Sequence, residues 1–252
     1  METIAIVSRK GGTGKTATAH ALGAGLTKRG YRVLYVDLDS QKNLSFTLKA
    51  DTDGAGNMEV LTGSTTAAEA IQHTEQGDII AGSSRLSAAD LNLTETGKEY
   101  QLKEALEKVK KLYDYIIIDT PAALNILTVN ALTASTGIVI PVQADAYSMQ
   151  GLTQIVEEVD TVKKYCNPRL KIKGILITRY SGRAILSQTV RQDLQETAKT
   201  LKTRLYTEPI RECVTIKEAA IVQQNIFDYA PKSKAAKDYD SFINEFLTKK
   251  GR

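Results

Sequence analysis

Glycines and lysines near the N-terminus have the spacing of a phosphate-binding loop. Residues 8–19 read SRKGGTGKTATA and nearly match the pattern G-x-x-x-x-G-K-[ST], with Lys15 and Thr16 in register. In that pattern, loop amides and a helix N-terminus face the phosphates, the lysine reaches the terminal phosphates and the hydroxyl binds Mg²⁺. Arg9 replaces the first glycine of the pattern, and a second lysine, Lys10, follows it. The segment therefore predicts a nucleotide site with one additional cation.

Aspartates at the ends of predicted strands could supply the metal-binding half of this chemistry. Asp119 closes the segment YIIIDT, and Asp37 and Asp39 lie at the end of RVLYVDLD. Carboxylates at this position can hold Mg²⁺ and orient an attacking water beside a bound triphosphate. An aspartate after a strand also serves as a helix cap or turn former. Three of them at the edge that carries the glycine-rich loop favour the metal and nucleotide interpretation.

Alternating strands and helices must position these residues. The strands are apolar on both faces, which predicts an α/β fold of three layers, a mostly parallel twisted sheet covered by helices on both faces. The ligand site is then expected outside the carboxyl ends of the strands. Polar, Gly-rich residues 50–66 predict a loop. The strands are predicted at residues 3–8, 32–39, 113–120, 137–142 and 172–178, and helices at residues 15–30, 66–72 and 100–112.

Length and composition favour a single domain over residues 1–252. The chain is 42% hydrophobic and has no Pro-rich or Ser-rich linker. Its apolar runs are far shorter than the roughly 20 residues of a membrane-spanning helix. Met1 leads almost directly into a strand, so no signal peptide is expected. Cys166 and Cys213 lack metal-ligand spacing and are expected to be reduced thiols in a cytoplasm.

The net charge of +4 is unevenly distributed along the chain. Residues 1–159 carry 14 basic against 19 acidic side chains, whereas residues 160–252 carry 19 against 10. A net charge of −5 is thus followed by one of +9. Scattered surface lysines account for part of such an excess, but a basic C-terminal third also indicates a polyanionic partner.

Three segments resemble the ParA/MinD family of partition ATPases. KGGTGKT resembles the family's deviant Walker A motif, and VDLDSQKNLS is similar to its sequence around switch I. IIIDTPAALNILTVNALTASTGIVIPVQADAYSMQGL resembles the family through Walker B and the following strand and helix. The likeness extends over essentially the whole chain and is looser after Thr178. It is strongest to the short ParA/Soj type, so no N-terminal DNA-binding extension is expected.

The resemblance implies a role for each site residue. Lys10 would be the signature lysine that contacts phosphates bound by a partner subunit, and Lys15 the Walker lysine. Asp39 would orient the attacking water. Ala17 departs from the threonine that relatives often carry. By the same resemblance, ATP would be contacted by Lys10, Gly11, Gly12, Thr13, Gly14, Lys15, Thr16, Ala17, Asp119 and Pro209, and Mg²⁺ by Thr16, Asp39 and Asp119.

The family also implies partners. It predicts an ATP hydrolase of weak intrinsic activity that forms an ATP-dependent homodimer and binds DNA without sequence preference. A ParB-type centromere-binding protein and DNA would stimulate it, and it would be cytoplasmic, associated with the nucleoid when ATP is bound. Arg183, Arg211 and Lys217 are the expected DNA contacts, although Thr215 stands where an arginine is often found. A chromosome, plasmid, conjugative element or protein assembly could each be the cargo.

Two other functional classes remain as alternatives. MinD-like positioning ATPases end in a basic amphipathic helix that binds membrane. The C-terminal segment here has such an apolar face, but acidic residues on its polar face favour packing in the core, so no membrane partner is expected. Metabolic or electron-carrying relatives would need cluster cysteines or a small-substrate pocket, and the sequence indicates neither. The apolar face of the C-terminal segment comprises Ala235, Tyr239, Phe242, Ile243, Phe246 and Leu247.

Overall fold

The computed structural model describes residues 1–145, 148–181 and 185–248. The strands found in these residues are β1 (Glu2–Ile6), β2 (Val33–Asp37), β3 (Ile71–Thr74), β4 (Gly77–Ile80), β5 (Tyr115–Asp119), β6 (Gly137–Gln143) and β7 (Lys171–Thr178). They form one sheet in the order β3-β4-β2-β5-β1-β6-β7. Every neighbouring pair is parallel except β3 and β4, which form an antiparallel hairpin at one edge. The predicted mostly parallel sheet is confirmed.

Helices connect the strands and cover the sheet. Short 3-10 helices span Ser84–Ala88 and Lys98–Tyr100. The α-helices are α1 (Lys15–Thr27), α2 (Asn43–Thr47), α3 (Asn57–Thr62), α4 (Ala67–Ala70), α5 (Ala89–Asn92), α6 (Gln101–Glu107), α7 (Ile126–Ala134), α8 (Ser148–Tyr165), α9 (Ile185–Thr200), α10 (Val214–Ile221), α11 (Ile226–Tyr229) and α12 (Lys234–Leu247).

Both faces of the sheet are buried because side chains of each strand alternate between two hydrophobic clusters. Ile4 and Ile6 of β1 belong to the cluster that contains the apolar residues of α1 and α12. Ala5 and Val7 point the other way and belong to the cluster built with α6, α7 and α8. A side-chain period of two on a strand requires a helical layer on each side when both faces are apolar. The three-layer α/β prediction is therefore confirmed.

The register of the central strands gathers the chemistry-bearing residues at one edge. Ile6 of β1 is paired with Asp119 of β5, and Asp119 is also opposite Asp37 of β2. The loop that leaves β1 thus begins beside Asp119, and Asp37 lies one strand further along the same edge. This is the carboxyl edge of the parallel sheet, where the ligand site of such folds is expected.

The segment between β2 and β5 differs from the prediction. Residues 50–66 contain the helix α3, and the predicted helix at 66–72 ends at Ala70, because β3 begins at Ile71. The Asn57 side chain fixes α3 by donating hydrogen bonds to the carbonyls of Asp37 and Ile80, both at 2.8 Å. The β3–β4 hairpin consists of two four-residue strands. Strands this short and a helix held by a tertiary amide contact leave little periodic signal in a sequence.

The C-terminal helix α12 packs in the core, as the sequence predicted. Ala235, Tyr239, Phe242 and Ile243 are at most 2% exposed and lie in the cluster with α1. The apolar face of α12 is therefore occupied by the protein's own interior. Among the described residues, no helix combines the length and the hydropathy that crossing a bilayer requires.

Gly25 allows α1 and α12 to approach closely. A Cβ at this position would lie 2.2 Å from the Cδ1 of Ile243, which is fully buried. We expect Gly25→Ala to lower the free energy of unfolding by about 1–3 kcal/mol, because the core must shift to admit the methyl group. Urea denaturation followed by circular dichroism measures this change.

Gly151 in α8 is the matched control for that substitution. A Cβ there would meet the Cβ of Arg9 at 3.9 Å, an ordinary contact. Gly151→Ala should raise the free energy of unfolding by about 0.5–1 kcal/mol through helix propensity alone. Equal shifts in the two variants would show that the approach of the helices does not limit stability.

Candidate active site

The loop between β1 and α1 has the backbone shape of a phosphate-binding loop. Gly12 and Gly14 adopt positive φ angles of 75° and 80°, a region that favours glycine. Gly14 precedes α1 and has no side chain with which to cap the helix, so the first amides of α1 are available to an anion. The hydroxyl of Thr178 donates to the carbonyl of Thr13 at 2.7 Å, and the Gln143 side chain donates to that of Gly12 at 2.9 Å. The ends of β7 and β6 therefore hold the loop in place.

Lys15 is a buried cation at the start of α1. The residue is only 8% exposed. Desolvation lowers the pKa of Lys15, and the nearby carboxylates of Asp119 and Asp39 act in the opposite direction. A buried ammonium group at a helix N-terminus is strongly stabilised by an anion. This part of the site is suited to the terminal phosphates of a nucleotide.

Asp119 carries a buried carboxylate that fits a metal site. It is fully buried at the end of β5, and neither oxygen has a well-formed hydrogen bond with the described residues. Burial raises the pKa of Asp119 well above its ordinary value, and Asp37 raises it further, while the Thr16 hydroxyl and Lys15 lower it. Hard oxygen ligands suit Mg²⁺, which usually retains several of its waters. The carboxylate of Asp119 and the hydroxyl of Thr16 therefore fit the metal site that the sequence predicted.

Asp39 lies half-buried on the loop after β2, and its Oδ1 accepts a hydrogen bond from the N–H of Gln41 at 3.0 Å. It lines the same cleft as the phosphate loop. Asp37 differs, since it is fully buried and accepts hydrogen bonds from Ser45 and from the backbone of Asp39. Burial is the main cause that raises the pKa of Asp37 to about 6. Of these two aspartates, Asp39 is the one that can reach a ligand.

The cleft that these residues line has a volume of about 850 Å³, within the range of small-molecule sites. Residues from the loop before α10 and from α10 itself also line the cleft, including Ile210, Arg211 and Cys213. Pro209 is buried immediately before these residues. The predicted nucleotide contacts that line the cleft are Gly11, Gly12, Gly14, Lys15, Thr16 and Ala17, and Asp39, the predicted water-orienting residue, lines it as well.

Lys10 lies apart from this cleft. Its ammonium group forms an ion pair with Asp145, which follows β6, and its side chain is 41% exposed. Lys10 also borders a small pocket beside Gly151 and Leu152 of α8. The two lysines of the loop therefore point to different places, Lys15 into the cleft and Lys10 towards the α8 side of the loop. Nothing in the local sequence indicated Asp145 as a partner, since it lies 135 residues away.

Two arginines near the cleft are neutralised by acidic side chains. Arg211 donates through Nε and Nη2 to both oxygens of Asp238, a residue only 5% exposed. Arg179 has an unusual positive φ angle of 49° and pairs with Glu212 at 2.8 Å. Neither acidic partner was predicted from the sequence. Lys217 is exposed on α10, and Arg183 lies outside the described residues.

The two histidines show no catalytic arrangement. His20 in α1 is 7% exposed, and burial lowers its pKa to about 4, so the imidazole is neutral at physiological pH. It packs edge-on against Tyr35 with ring centroids 6.1 Å apart. His73 is exposed and pairs with Asp78 at 2.7 Å. The burial of His20 and its contact with Tyr35 indicate a packing role.

Comparisons with known proteins agree with this geometry. The family model described as an AAA domain matches residues 1–172. The chain is 40% identical to the sporulation initiation inhibitor protein Soj of Bacillus subtilis over 96% of each chain. It is 33% identical to the chromosome partitioning protein ParA of Caulobacter vibrioides, over 99% of this chain and 95% of the relative.

Solved structures show the same fold with nucleotide bound. A cobyrinic acid a,c-diamide synthase from Mycobacterium smegmatis with bound ADP and magnesium is 33% identical, with a TM-score of 0.83 over 97% of this chain and 93% of that one. The ATP complex of a McdA variant from Cyanothece is 26% identical, with a TM-score of 0.87 over 98% of this chain and 96% of that one. The fold and the phosphate loop define a P-loop ATPase. Within that class, the chain belongs to the ParA/MinD family.

Proposed function

We propose that this chain is a partition ATPase in which Mg²⁺ and ATP join two copies into a dimer that binds DNA without sequence preference. A ParB-type protein would stimulate its hydrolysis. The observation that carries this proposal is the separation of the two loop lysines. Lys15 faces the chain's own cleft, whereas Lys10 lies on the α8 side of the loop. One cleft would then bind the nucleotide, and a second copy would contact it.

The chain's own residues suffice to bind Mg²⁺ and ATP in the cleft. Amides of the phosphate loop and the α1 N-terminus would cradle the phosphates, and Lys15 would reach the terminal ones. Thr16 would bind Mg²⁺ directly and Asp119 would hold it through water. The metal, when bound, neutralises charge on the β- and γ-phosphates. The carboxylate of Asp39 would orient a water for attack on the γ-phosphate.

Lys10 would contact the phosphates bound by the partner subunit. To do so it must leave Asp145, and both side chains of this pair are partly exposed, at 41% and 31%. Ion pairs with this exposure contribute only about 0–1 kcal/mol. A contact with phosphate that is shielded from solvent is considerably stronger. The exchange of partners therefore favours the dimer when ATP is present.

The basic C-terminal third would provide the DNA-binding surface. Lys199 of α9 and Lys217 of α10 are exposed there. Arg211 is a weaker candidate than the sequence indicated, because its guanidinium group is matched by Asp238. Nonspecific DNA binding depends on the number of phosphates neutralised, so joining two copies would strengthen it.

Binding of DNA with ATP, with ADP and without nucleotide tests this function. We expect binding only when ATP is present, with equal affinity for unrelated sequences. The logarithm of the binding constant should fall by about 0.9 for each phosphate contact per decade of salt concentration. Fluorescence anisotropy of labelled duplexes at several salt concentrations gives these values. Equal binding in all three nucleotide states would contradict the proposed switch, and ATP-dependent binding to anionic liposomes would favour the membrane-positioning alternative.

The variants Lys217→Ala and Arg211→Ala distinguish an effect on DNA binding through surface charge from an effect on protein stability. Lys217→Ala should reduce the salt slope by about one contact per subunit and leave the melting temperature unchanged. Arg211→Ala should lower the free energy of unfolding by about 1–3 kcal/mol, because it removes both guanidinium hydrogen bonds to the nearly buried carboxylate of Asp238 and leaves only the backbone N–H of residue 211 as donor. Anisotropy and thermal melts of both variants provide the comparison. A stable Arg211→Ala protein with a reduced salt slope would restore Arg211 as a DNA contact.

A further inference from the structure

The carboxylate of Asp37 is the centre of a buried hydrogen-bond network beneath the cleft. Its Oδ1 accepts a hydrogen bond from the N–H of Asp39 at 3.1 Å. Its Oδ2 accepts two from Ser45, one from the N–H at 2.8 Å and one from the hydroxyl at 2.7 Å. Asp37 and Ser45 are both fully buried. Bulk water therefore has no access to this network.

Ser45 links the network to a second segment of the chain. Its Oγ accepts a hydrogen bond from the N–H of Gly82 at 2.8 Å, while its own proton is donated to Asp37. Gly82 follows β4 by two residues. A single hydroxyl thus joins the end of β2, the helix α2 and the chain after β4. Buried groups used as donor and acceptor together are costly to remove, because each partner is left unpaired.

Close packing reinforces this arrangement. A Cβ on Gly82 would lie 3.0 Å from the Cγ of Asp37 and 3.0 Å from the carbonyl oxygen of Asp39. Asn57 of α3 donates from its side chain to the carbonyl of Asp37 at 2.8 Å. The N–H of Leu38 donates to the carbonyl of Asp119 at 3.0 Å. The backbone that carries the Asp39 side chain is consequently fixed on several sides.

We propose that Ser45 is a positioning residue for ATP hydrolysis. It holds the Asp37 carboxylate between α2 and Gly82, and Asp37 in turn holds the N–H of Asp39, which sets where the Asp39 carboxylate enters the cleft. This inference rests on the proposed role of Asp39 and adds the group that orients it. Ser45 touches neither nucleotide nor water in this role. Its effect is on the hydrolysis step, because small displacements of a positioning group reduce rates strongly.

The variant Ser45→Ala tests this proposal, because its turnover should fall while its affinity for ATP stays the same. We expect kcat to fall about tenfold, while the Kd for ATP, measured by calorimetry with a nonhydrolysable analogue, stays within about twofold. Ser135→Ala is the matched control. Ser135 is also a buried serine, 3% exposed, and its hydroxyl donates to the Ala131 carbonyl at 2.6 Å, at the other end of α7 from the cleft. It should keep the wild-type kcat.

A double mutant separates positioning from general destabilisation. Because Ser45 acts through Asp39, Ser45→Ala in an Asp39→Ala background should cause no further loss of kcat. A further tenfold loss in the double mutant would overturn the inference, as would a Ser45→Ala protein with the kcat of Ser135→Ala. Wild-type hydrolysis by Asp39→Ala alone would instead overturn the proposed role of Asp39.

Gly82→Ala provides a second variant in case Ser45→Ala does not fold. The added methyl group must displace Asp37 or the backbone of Asp39. The same tenfold loss of kcat at unchanged ATP affinity is expected, with thermal melts to confirm folding. A folded Gly82→Ala protein with wild-type kcat would show that the geometry of this network does not govern hydrolysis.

Discussion

Asp39→Ala is expected to slow ATP hydrolysis by roughly 10²-fold or more while ATP remains bound. The Asp39 carboxylate lines the cleft beside Lys15 and Thr16, and one of its oxygens is already oriented by the N–H of Gln41. Removing it would leave the phosphate-binding groups in place and the attacking water without its acceptor. Single-turnover hydrolysis and equilibrium nucleotide binding on the same preparation measure the two effects separately. The variant should accumulate as an ATP-bound dimer on DNA.

The exposed Asp53 provides the control for this substitution. Asp53→Ala removes a carboxylate of the same charge from the surface after α2 and should hydrolyse ATP at the wild-type rate. Normal turnover by Asp39→Ala would transfer the role to another group. Asp37, the next candidate in the sequence, is poorly placed for it, since its buried oxygens already accept three hydrogen bonds from Asp39 and Ser45.

The sequence predicted the strand, loop and helix that form the candidate phosphate site because these parts are contiguous. A strand, a glycine-rich loop and a helix follow one another between Glu2 and Thr27, and local rules determine each of them. The aspartates were also located correctly at strand ends. In a parallel sheet, strand ends meet at the same edge whatever the connections between them. Asp37 and Asp119 accordingly lie opposite each other on β2 and β5.

Contacts between distant parts of the chain could not be predicted from the sequence. The partners of Lys10, Arg179 and Arg211 depend on how loops from different strands meet, and local sequence patterns contain no information about this. The network of Asp37, Ser45 and Gly82 has the same origin. The sequence placed both Asp37 and Asp39 at the end of one strand, and the family resemblance indicated Asp39 as the water-orienting residue. Burial and hydrogen bonding also distinguish the two, because Asp39 lines the cleft and Asp37 is buried beneath it.

Lys10→Ala is expected to abolish ATP-dependent dimerisation while retaining much of the affinity for ATP. The Lys10 side chain forms its ion pair outside the cleft, so its loss would leave Lys15 and the loop amides unchanged. A charge-assisted contact to phosphate across a solvent-shielded interface is worth about 2–5 kcal/mol, which corresponds to at least a thirtyfold weaker dimer. Lys15→Ala should instead weaken ATP binding itself. Sedimentation velocity in the Asp39→Ala background, where ATP persists, reports the monomer and dimer populations.

Arg9→Ala is the control for charge alone, because it removes a cation from the adjacent exposed position of the same loop. It should dimerise with ATP as the parent does. Asp145→Asn should dimerise at equal or lower protein concentration, since it frees Lys10 from its partner within the chain. If Lys10→Ala formed as much dimer as the parent, the bridging role would be wrong. If Arg9→Ala lost the dimer as completely, the effect would come from net charge at the loop, because only Lys10 is proposed to bind the partner's phosphates.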